Sequence, residues 1–385
     1  MARQLSEISR LGADITVIVP RVWCPLFLRR FERWKNQDHK CPLCRFEGIE
    51  TFSIPYLRPP GNLYNRWSGL VAFEAMKRKA LELHNKEKFD IIYATDFFPD
   101  GDAAVRLSKY LNLPAACLSI GVDVNITANS SKIIYRHFVR TVKMLDGTLA
   151  CGQNVADRIE AITGKSPLCV YGVLDLEEFS PLSDKTSQRK ELGLPPDKTI
   201  ALYAGYLMKR KGVYELVQAF ERIQRKCPDV LLVMCGCGPE EKQLRTLIHE
   251  KGIGHIIRMV GEVEPEQMNK WMKASDLFVL ASHTEGMPNV VMEAMACGLA
   301  VVATTVGGLP EAIGDSGGAI LVPHGDVNAL ENAIAKVVND NQLRTDMQTA
   351  GRNRAEEKFA VTRNARLILD YLREIVEKKQ AKQIG

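Results

Sequence analysis

Short apolar runs alternate with amphipathic stretches along the whole chain. In the first half the runs are Asp14–Val19, Ile49–Ile54, Asp90–Ala94, Ala115–Ser119, Gly147–Ala150 and Leu168–Tyr171. Helical periods fill the gaps, as in Leu70–His84 and Ala103–Leu111. The second half repeats the rhythm with Thr199–Ala204, Val230–Cys235, Ile256–Val260, Leu277–Leu280, Ala300–Ala303 and Ala319–Val322. Apolar strands of this length, alternating with helices, predict parallel sheets covered on both faces. Two such series predict an α/β chain of two doubly wound domains, at 1–180 and 199–360, joined through the polar stretch Pro181–Lys198. The helix expected at Arg363–Lys379 follows the last strand. It has no sheet slot of its own and is expected to cross back onto the first domain.

The first series starts out of order. A doubly wound domain opens with a strand, a Gly-rich turn and a helix. This chain opens with helical sequence at Ala2–Leu11, then Gly12, then the run Asp14–Val19. In the common doubly wound order the first strand is central, so its absence leaves backbone groups unpaired. The expectation is a first domain lacking its first strand because the start is incomplete. The alternative is a domain built without it.

Composition narrows the class. The 385 residues suit two domains, and 46% hydrophobic with 25% charged residues excludes a largely disordered chain. The net charge is +5, but residues 21–88 hold 14 Lys/Arg against 7 Asp/Glu, or +7, which leaves −2 for the remainder. That distribution argues against nucleic-acid binding and for a local basic surface. Ten cysteines show no pairing by spacing, and with no signal-peptide pattern this usage is expected of a reducing cytosol. No apolar run approaches the ~20 residues of a spanning helix.

The chemistry concentrates in Glu285-Gly286-Met287-Pro288-Asn289-Val290, continuing to Glu293. The segment follows the strand Leu277–Leu280 and leads into a helix starting near Asn289, with Pro288 at a helix entrance that tolerates it. A helix N-terminus offers free N–H groups and a positive dipole end, a natural diphosphate cradle. Carboxylates on both sides of it suit a nucleotide sugar, one toward each end. The competing reading makes Glu285 a cap and Glu293 a surface residue. A second element supports the first. The strand Thr199–Ala204 ends at Gly205, followed by Lys209, Arg210, Lys211 and Gly212. Cations beside a Gly turn read as another phosphate-binding element. Further Gly turns at Gly236–Gly238 and Gly307–Gly308 also follow strands, at the sheet edge where open α/β folds bind ligands.

These motifs, in this order, resemble the donor-binding domain of retaining glycosyltransferases of family 4, which have the GT-B fold of two Rossmann-like domains facing a cleft. The match spans about 199–352. The resemblance implies that Glu293 binds ribose hydroxyls and Glu285 hydroxyls of the transferred sugar. Backbone groups of Gly286 to Val290 would hold sugar and diphosphate, and Lys211 would bind the diphosphate. The family usually has Arg directly after the glycine at 205; here that residue is Tyr206, and Arg210 or Lys209 would have to compensate, since a phenol does not replace a guanidinium fork. The donor implied is UDP- or GDP-linked, with no further cofactor and no metal. Turnover with retention is implied. A double displacement of the hydrolase type needs a carboxylate at the anomeric carbon, and the sequence singles out none.

The first half resembles the acceptor side of polysaccharide-building members, the teichuronic-acid type among them. Its loops are Ala94–Gly101 and Ile120–Asn125. Many members carry His where this chain has Ile120. Asp123 is the ionisable group left in that loop and is expected to act on the acceptor side, although an Asp there also serves as an N-cap or turn residue. The reading is thus a hexosyltransferase building a polysaccharide or glycolipid. The alternatives are a GT-B sugar-nucleotide epimerase and an inactive nucleotide-sugar-binding scaffold. A nicotinamide oxidoreductase is disfavoured because no G-x-G-x-x-G follows a strand.

Residues 21–35 combine Phe27, Phe31 and Trp34 at helical spacing with Arg29, Arg30 and Arg33. Together with 77–79, this is expected to touch the inner face of a membrane carrying a lipid-linked acceptor; a core helix is the alternative. Cys24, His39, Cys41 and Cys44 form an incomplete zinc pattern.

Overall fold

The computed structural model describes residues 2–23, 48–57, 67–121, 123–124, 131–171 and 174–384. The chain divides into two compact units, 1–171 with 362–385, and 172–361. The aromatic stripe at 27–34 and the Cys24/His39/Cys41/Cys44 pattern lie outside the described residues.

Unit 1 contains α1 (Ala2–Arg10), β1 (Thr16–Trp23), β2 (Glu50–Leu57), α2 (Ser68–Glu87), β3 (Ile92–Thr95), α3 (Asp102–Leu111), β4 (Ala115–Ser119), α4 (Lys132–Met144), β5 (Gly147–Ala150), α5 (Gln153–Thr163) and β6 (Leu168–Cys169). Its strands are parallel but form two sheets, β1-β2 and β3-β4-β5-β6. Ile18 of β1, Ile54 of β2 and Ile92 of β3 nevertheless pack on one cluster, formed by Ala72, Met76 and Ala80 of α2 with Ala103 and Leu107 of α3. So β1 and β3 share a helical cover without being hydrogen-bonded to each other. The burial pattern follows. β4 and β5 are buried throughout, whereas β3 is only half-buried and β1 half-buried to exposed.

Unit 2 contains α6 (Thr186–Glu191), β7 (Thr199–Ala204), α7 (Val213–Ile223), β8 (Val230–Cys235), α8 (Glu241–Glu250), β9 (Ile257–Gly261), α9 (Pro265–Ala274), β10 (Leu277–Leu280), α10 (Asn289–Ala296), β11 (Ala300–Thr304), α11 (Leu309–Ile313), β12 (Ala319–Val322), α12 (Val327–Asn339) and α13 (Asn341–Lys358). The sheet is fully parallel, in the order β12-β11-β10-β7-β8-β9. The chain therefore winds outward in both directions from the β7/β10 neighbours, the topological switch point of a doubly wound sheet. The core strands β7, β8, β10 and β11 are almost entirely buried, as runs such as Val230–Cys235 demand.

One segment differs from expectation. Residues 181–198 do not form a bare polar connection. They contain α6, whose Arg189 is buried against Asp276 (Nη2 to Oδ2, 2.6 Å) and the carbonyls of Ala274 and Pro196. Lys185 takes the other oxygen of Asp276 at 3.0 Å. The last helix, α14 (Val361–Ile384), starts one turn past α13 and sets Ala365, Ile368, Leu369, Leu372 and Ile375 into the unit 1 core with Ile8, Ala116, Leu118, Leu149 and Val170.

Candidate functional site

The carboxyl edge of the unit 2 sheet is built from the turns after β7, β8, β10 and β11. Beyond β7 the chain passes exposed Tyr206 to a single 3-10 turn, Lys209–Lys211, ended by Gly212. Gly212 has φ +65°, and a Cβ there would collide with the Ala281 carbonyl. The glycine thus lets the cationic turn lie against the end of β10. The backbone N–H of His283 donates to the Arg210 carbonyl at 2.9 Å, stitching the two turns together. Gly307 has φ +55°, and a Cβ on it would strike the Glu285 carbonyl. The next N–H, of Gly308, donates to the Gly286 carbonyl at 2.7 Å. Three loops from distant sequence positions therefore meet at the switch point.

Within this edge Glu285 and Lys211 come together. Lys211 Nζ lies 2.7 Å from Glu285 Oε1, and the two side chains are 19% and 7% exposed. Ser282 Oγ donates to the same oxygen at 2.6 Å. The Ser282 carbonyl in turn accepts from Thr304 Oγ1 of β11 at 2.6 Å. Both donors share Oε1, and among the described residues none donates to Oε2. A mostly buried carboxylate is thus fixed by one edge and presents the other. Ser282 and Thr304 were not singled out from the sequence; a hydroxyl three residues before Glu285 is the signal that was there.

The other expected donor residues follow along the chain. Gly286 and Asn289 are exposed, Met287 and Val290 half-buried and Pro288 buried. α10 begins at Asn289, with no side-chain cap on its first N–H groups, so the positive end of the helix is open to an anion. Glu293 is half-buried within the body of α10. Gly205 is half-buried at the end of β7, and Arg210 is exposed. Tyr206, where Arg is usual, is 54% exposed, and its carbonyl accepts from the Tyr203 hydroxyl at 3.2 Å.

In unit 1 Asp123 is held by its surroundings. It is only 1% exposed. Its Oδ2 accepts from the Phe97 N–H at 2.7 Å, and its Oδ1 accepts from Ser119 Oγ at 2.5 Å and the Val124 N–H at 2.9 Å. This carboxylate clamps the loops after β3 and β4 together. The neighbouring carboxyl is Asp96. It follows β3 with φ +65°, unusual for a non-glycine residue, and among the described residues its buried Oδ1 has no partner. Burial, then the charge of Asp123, raises its pKa to about 6 against a weaker opposing hydrogen bond from the Ile120 N–H.

The sign is fixed by that direction. A folded pKa above the unfolded one means the native state binds the extra proton, so stability falls as pH rises from about 4 to about 6. Asp96→Asn is therefore expected to leave stability unchanged near pH 4. It should raise stability near pH 8 by about 1–2 kcal/mol, after allowance for partial exposure. Melting curves of both proteins at the two pH values check this, and equal melting at pH 8 would refute it.

The basic cluster 77–79 is largely neutralised where it stands. Lys77 pairs with Glu74 at 2.5 Å and Lys79 with Glu82 at 2.7 Å, and Lys79 also lies 4.3 Å from the Phe52 ring centre. Arg21 to Trp23 end strand β1 and do not open a helix. Among the described residues no helix is long and apolar enough to cross a membrane, and no His, Cys, Asp and Glu group is arranged to hold a metal.

Comparison with known proteins agrees with this geometry. Residues 184–354 match the family described as glycosyl transferases group 1. The chain is 29% identical over 373 residues to the Bacillus subtilis strain 168 protein named "Putative teichuronic acid biosynthesis glycosyltransferase TuaC", covering 95% of this chain and 91% of that one. It is 32% identical over 208 residues to a D-inositol 3-phosphate glycosyltransferase of Corynebacterium jeikeium, spanning about half of each (51% and 49%). Among solved structures, Anabaena Alr3699/HepE in complex with UDP superposes with a TM-score of 0.73 at 19% identity, covering 97% and 96% of the two chains. HepE has also been solved with UDP-glucose. The sheet order of unit 2 and these matches together show a chain of GT-B fold whose residues 184–354 form a glycosyl transferases group 1 domain.

Proposed function

We propose that the protein transfers a sugar from a UDP-linked donor to a growing polysaccharide or lipid-linked glycan with retention of configuration. The observation that carries this is the Lys211–Glu285 pair at the open N-terminus of α10. A diphosphate set against that helix end meets a positive dipole and, from the neighbouring turn, the Lys211 ammonium. As the glycosidic bond to the diphosphate breaks, the charge building on the leaving oxygen is held by the same groups. Glu285, fixed through Oε1 by Ser282 and Lys211, offers Oε2 to a hydroxyl of the departing sugar. Glu293, one turn into α10, takes the ribose hydroxyls. Gly205 and the backbone from Gly286 to Val290 line the diphosphate and sugar, with Met287 and Pro288 holding the turn, and Arg210 supplies a second cation. Unit 1, the domain expected at 1–180, receives the acceptor, and unit 2, expected at 199–360, holds the donor. UDP is favoured over GDP by the HepE complexes. A teichuronic-acid-like polymer acceptor follows the TuaC resemblance, and the site of action is the cytoplasmic side of the membrane.

A thermal-shift panel of uridine and guanosine diphosphate sugars tests the donor assignment. At a hundredfold excess over Kd a true donor stabilises by about 2.7 kcal/mol, or roughly 5 °C or more for a unit of this size. Glu293→Ala should abolish most of the UDP shift. A shift retained in full would remove Glu293 from the ribose site.

A further inference from the structure

Helix α4 has two unlike faces. Ile134, Phe138, Thr141 and Val142 point inward, and Ser131 caps its start by accepting from the Ile134 N–H at 3.2 Å. Lys132, Arg136, Arg140 and Lys143 are all exposed. Their spacing of four, four and three residues aligns them in one stripe about 16 Å long. None of the four has an ion pair among the described residues, and α4 contains no Asp or Glu. Among the described residues the carboxylate paired with α4 is Asp102 of α3, which lies 3.3 Å from His137 on the flank and is shared with Arg106.

This differs from α2. On α2 each paired lysine has an acidic residue one turn away. A helix that merely faces water usually mixes signs in this way. α4 also places apolar side chains beside its cations. Ile133 is 56% and Tyr135 39% exposed, at the helix end nearest the β4 loop, where Ile120 is 50% exposed. A dissolved polyanion would satisfy the four charges but offers nothing to isoleucine and tyrosine. The interface of an anionic bilayer takes both, with cations at the phosphates and Tyr and Ile at the headgroup level.

We propose that α4 is the face through which unit 1 lies on an anionic membrane surface. The N-terminal end of α4 adjoins the loop edge of the β3–β6 sheet, so a membrane-held acceptor would be delivered to that edge. The inference builds on the lipid-linked-acceptor part of the proposed function and not on the donor site, which is read separately in unit 2.

Co-sedimentation of the full chain with vesicles tests it. Binding is expected to phosphatidylglycerol–phosphatidylcholine vesicles and not to phosphatidylcholine alone, and it should weaken with salt. Each cation near such a surface contributes about fivefold in partitioning, so the double reversal Arg136→Glu with Arg140→Glu should reduce binding at least about a hundredfold. Ile133→Ser with Tyr135→Ser should reduce it about tenfold and keep the salt dependence. Should the reversal misfold by circular dichroism, Arg136→Gln with Arg140→Gln carries the same test. The proposal is overturned if the full chain ignores anionic vesicles, or if the charge-altered protein binds as well as the parent. It is equally overturned if the Ile133/Tyr135 variant is unaffected while heparin competes the protein off, which would mark a polyanion site. A UDP-induced thermal shift in the same preparations separates the two readings. Vesicle binding without a UDP shift would count against the donor assignment alone.

Discussion

Glu285→Gln is expected to lower sugar transfer by about a hundredfold or more while UDP affinity stays within about threefold. The substitution keeps the shape of the side chain and removes its charge. Glutamine still accepts from Ser282 on its carbonyl oxygen, so the loop after β10 keeps its anchor. Two things are lost. The Lys211 ammonium no longer has its charged partner at 2.7 Å, and the atom offered to a sugar hydroxyl becomes an NH2 donor in place of an anionic acceptor. A charge-assisted hydrogen bond in a poorly solvated site is roughly twice as strong as a neutral one. Losing one preorganised group that acts as the transition state forms typically removes 10²–10³ in kcat. The nucleotide, which the proposed site holds through α10 and Glu293, should hardly notice. Steady-state kinetics with the best donor from the panel, beside UDP titration, decide the matter. A variant that turns over within threefold of the parent would mean that Glu285 is only a loop anchor.

Asp276→Ala is expected to destabilise unit 2 by about 3–5 kcal/mol, the largest single effect on stability foreseen in this chain. Asp276 takes Arg189 on one oxygen and Lys185 on the other, and the Ile200 N–H donates to it at 2.9 Å. Burial alone would raise its pKa; Lys185, the Ile200 N–H and Arg189 outweigh that and hold it below the ordinary carboxylate range. A depressed pKa means the stabilisation is present above the unfolded value and disappears as pH falls through the folded one. Removing the carboxylate strands a guanidinium that is 8% exposed. Lys185, on the flank, can turn to water. The double substitution Arg189→Met with Asp276→Leu should recover much of the loss, because an apolar pair of similar volume removes the orphaned charge. Denaturant titration followed in unit 2 gives both numbers. A loss under about 1 kcal/mol for the single variant, or no recovery in the double, would contradict this account.

What could be read from the sequence divides along the same physical line. Runs such as Val230–Cys235 and Leu277–Leu280 identify themselves, since continuous apolar residues have nowhere to go but a two-sided sheet interior. β1 and β2 ran past their expected ends at Val19 and Ile54, to Trp23 and Leu57, although Pro20 and Pro55 stand in the way. In a two-stranded ribbon each strand has a free edge, where a missing N–H costs little. The Gly turns and Glu285 were visible because backbone chemistry and a charged side chain are local signals. The Lys211–Glu285 contact spans 74 positions and the Arg189–Asp276 contact 87, and no local pattern announces either. Residues 181–198 looked like polar linker for that reason: Arg189 is a surface residue until its partner is known. Asp123 is the opposite case. Its charge suggested chemistry, but three donors from its surroundings had already claimed it.

The division of the unit 1 strands has a mechanical side. A continuous sheet transmits shear through its ladder of hydrogen bonds, and such a ladder joins β3 to β6. Between β1 and β3, among the described residues, load passes through side chains, as from Ile18 and Ile54 into α2 and α3 and back through Ile92. Apolar contacts resist separation but slide more easily than a hydrogen-bonded register. The β1–β2 ribbon, with α2 packed on it, is therefore expected to yield to load before the hydrogen-bonded β3–β6 sheet does.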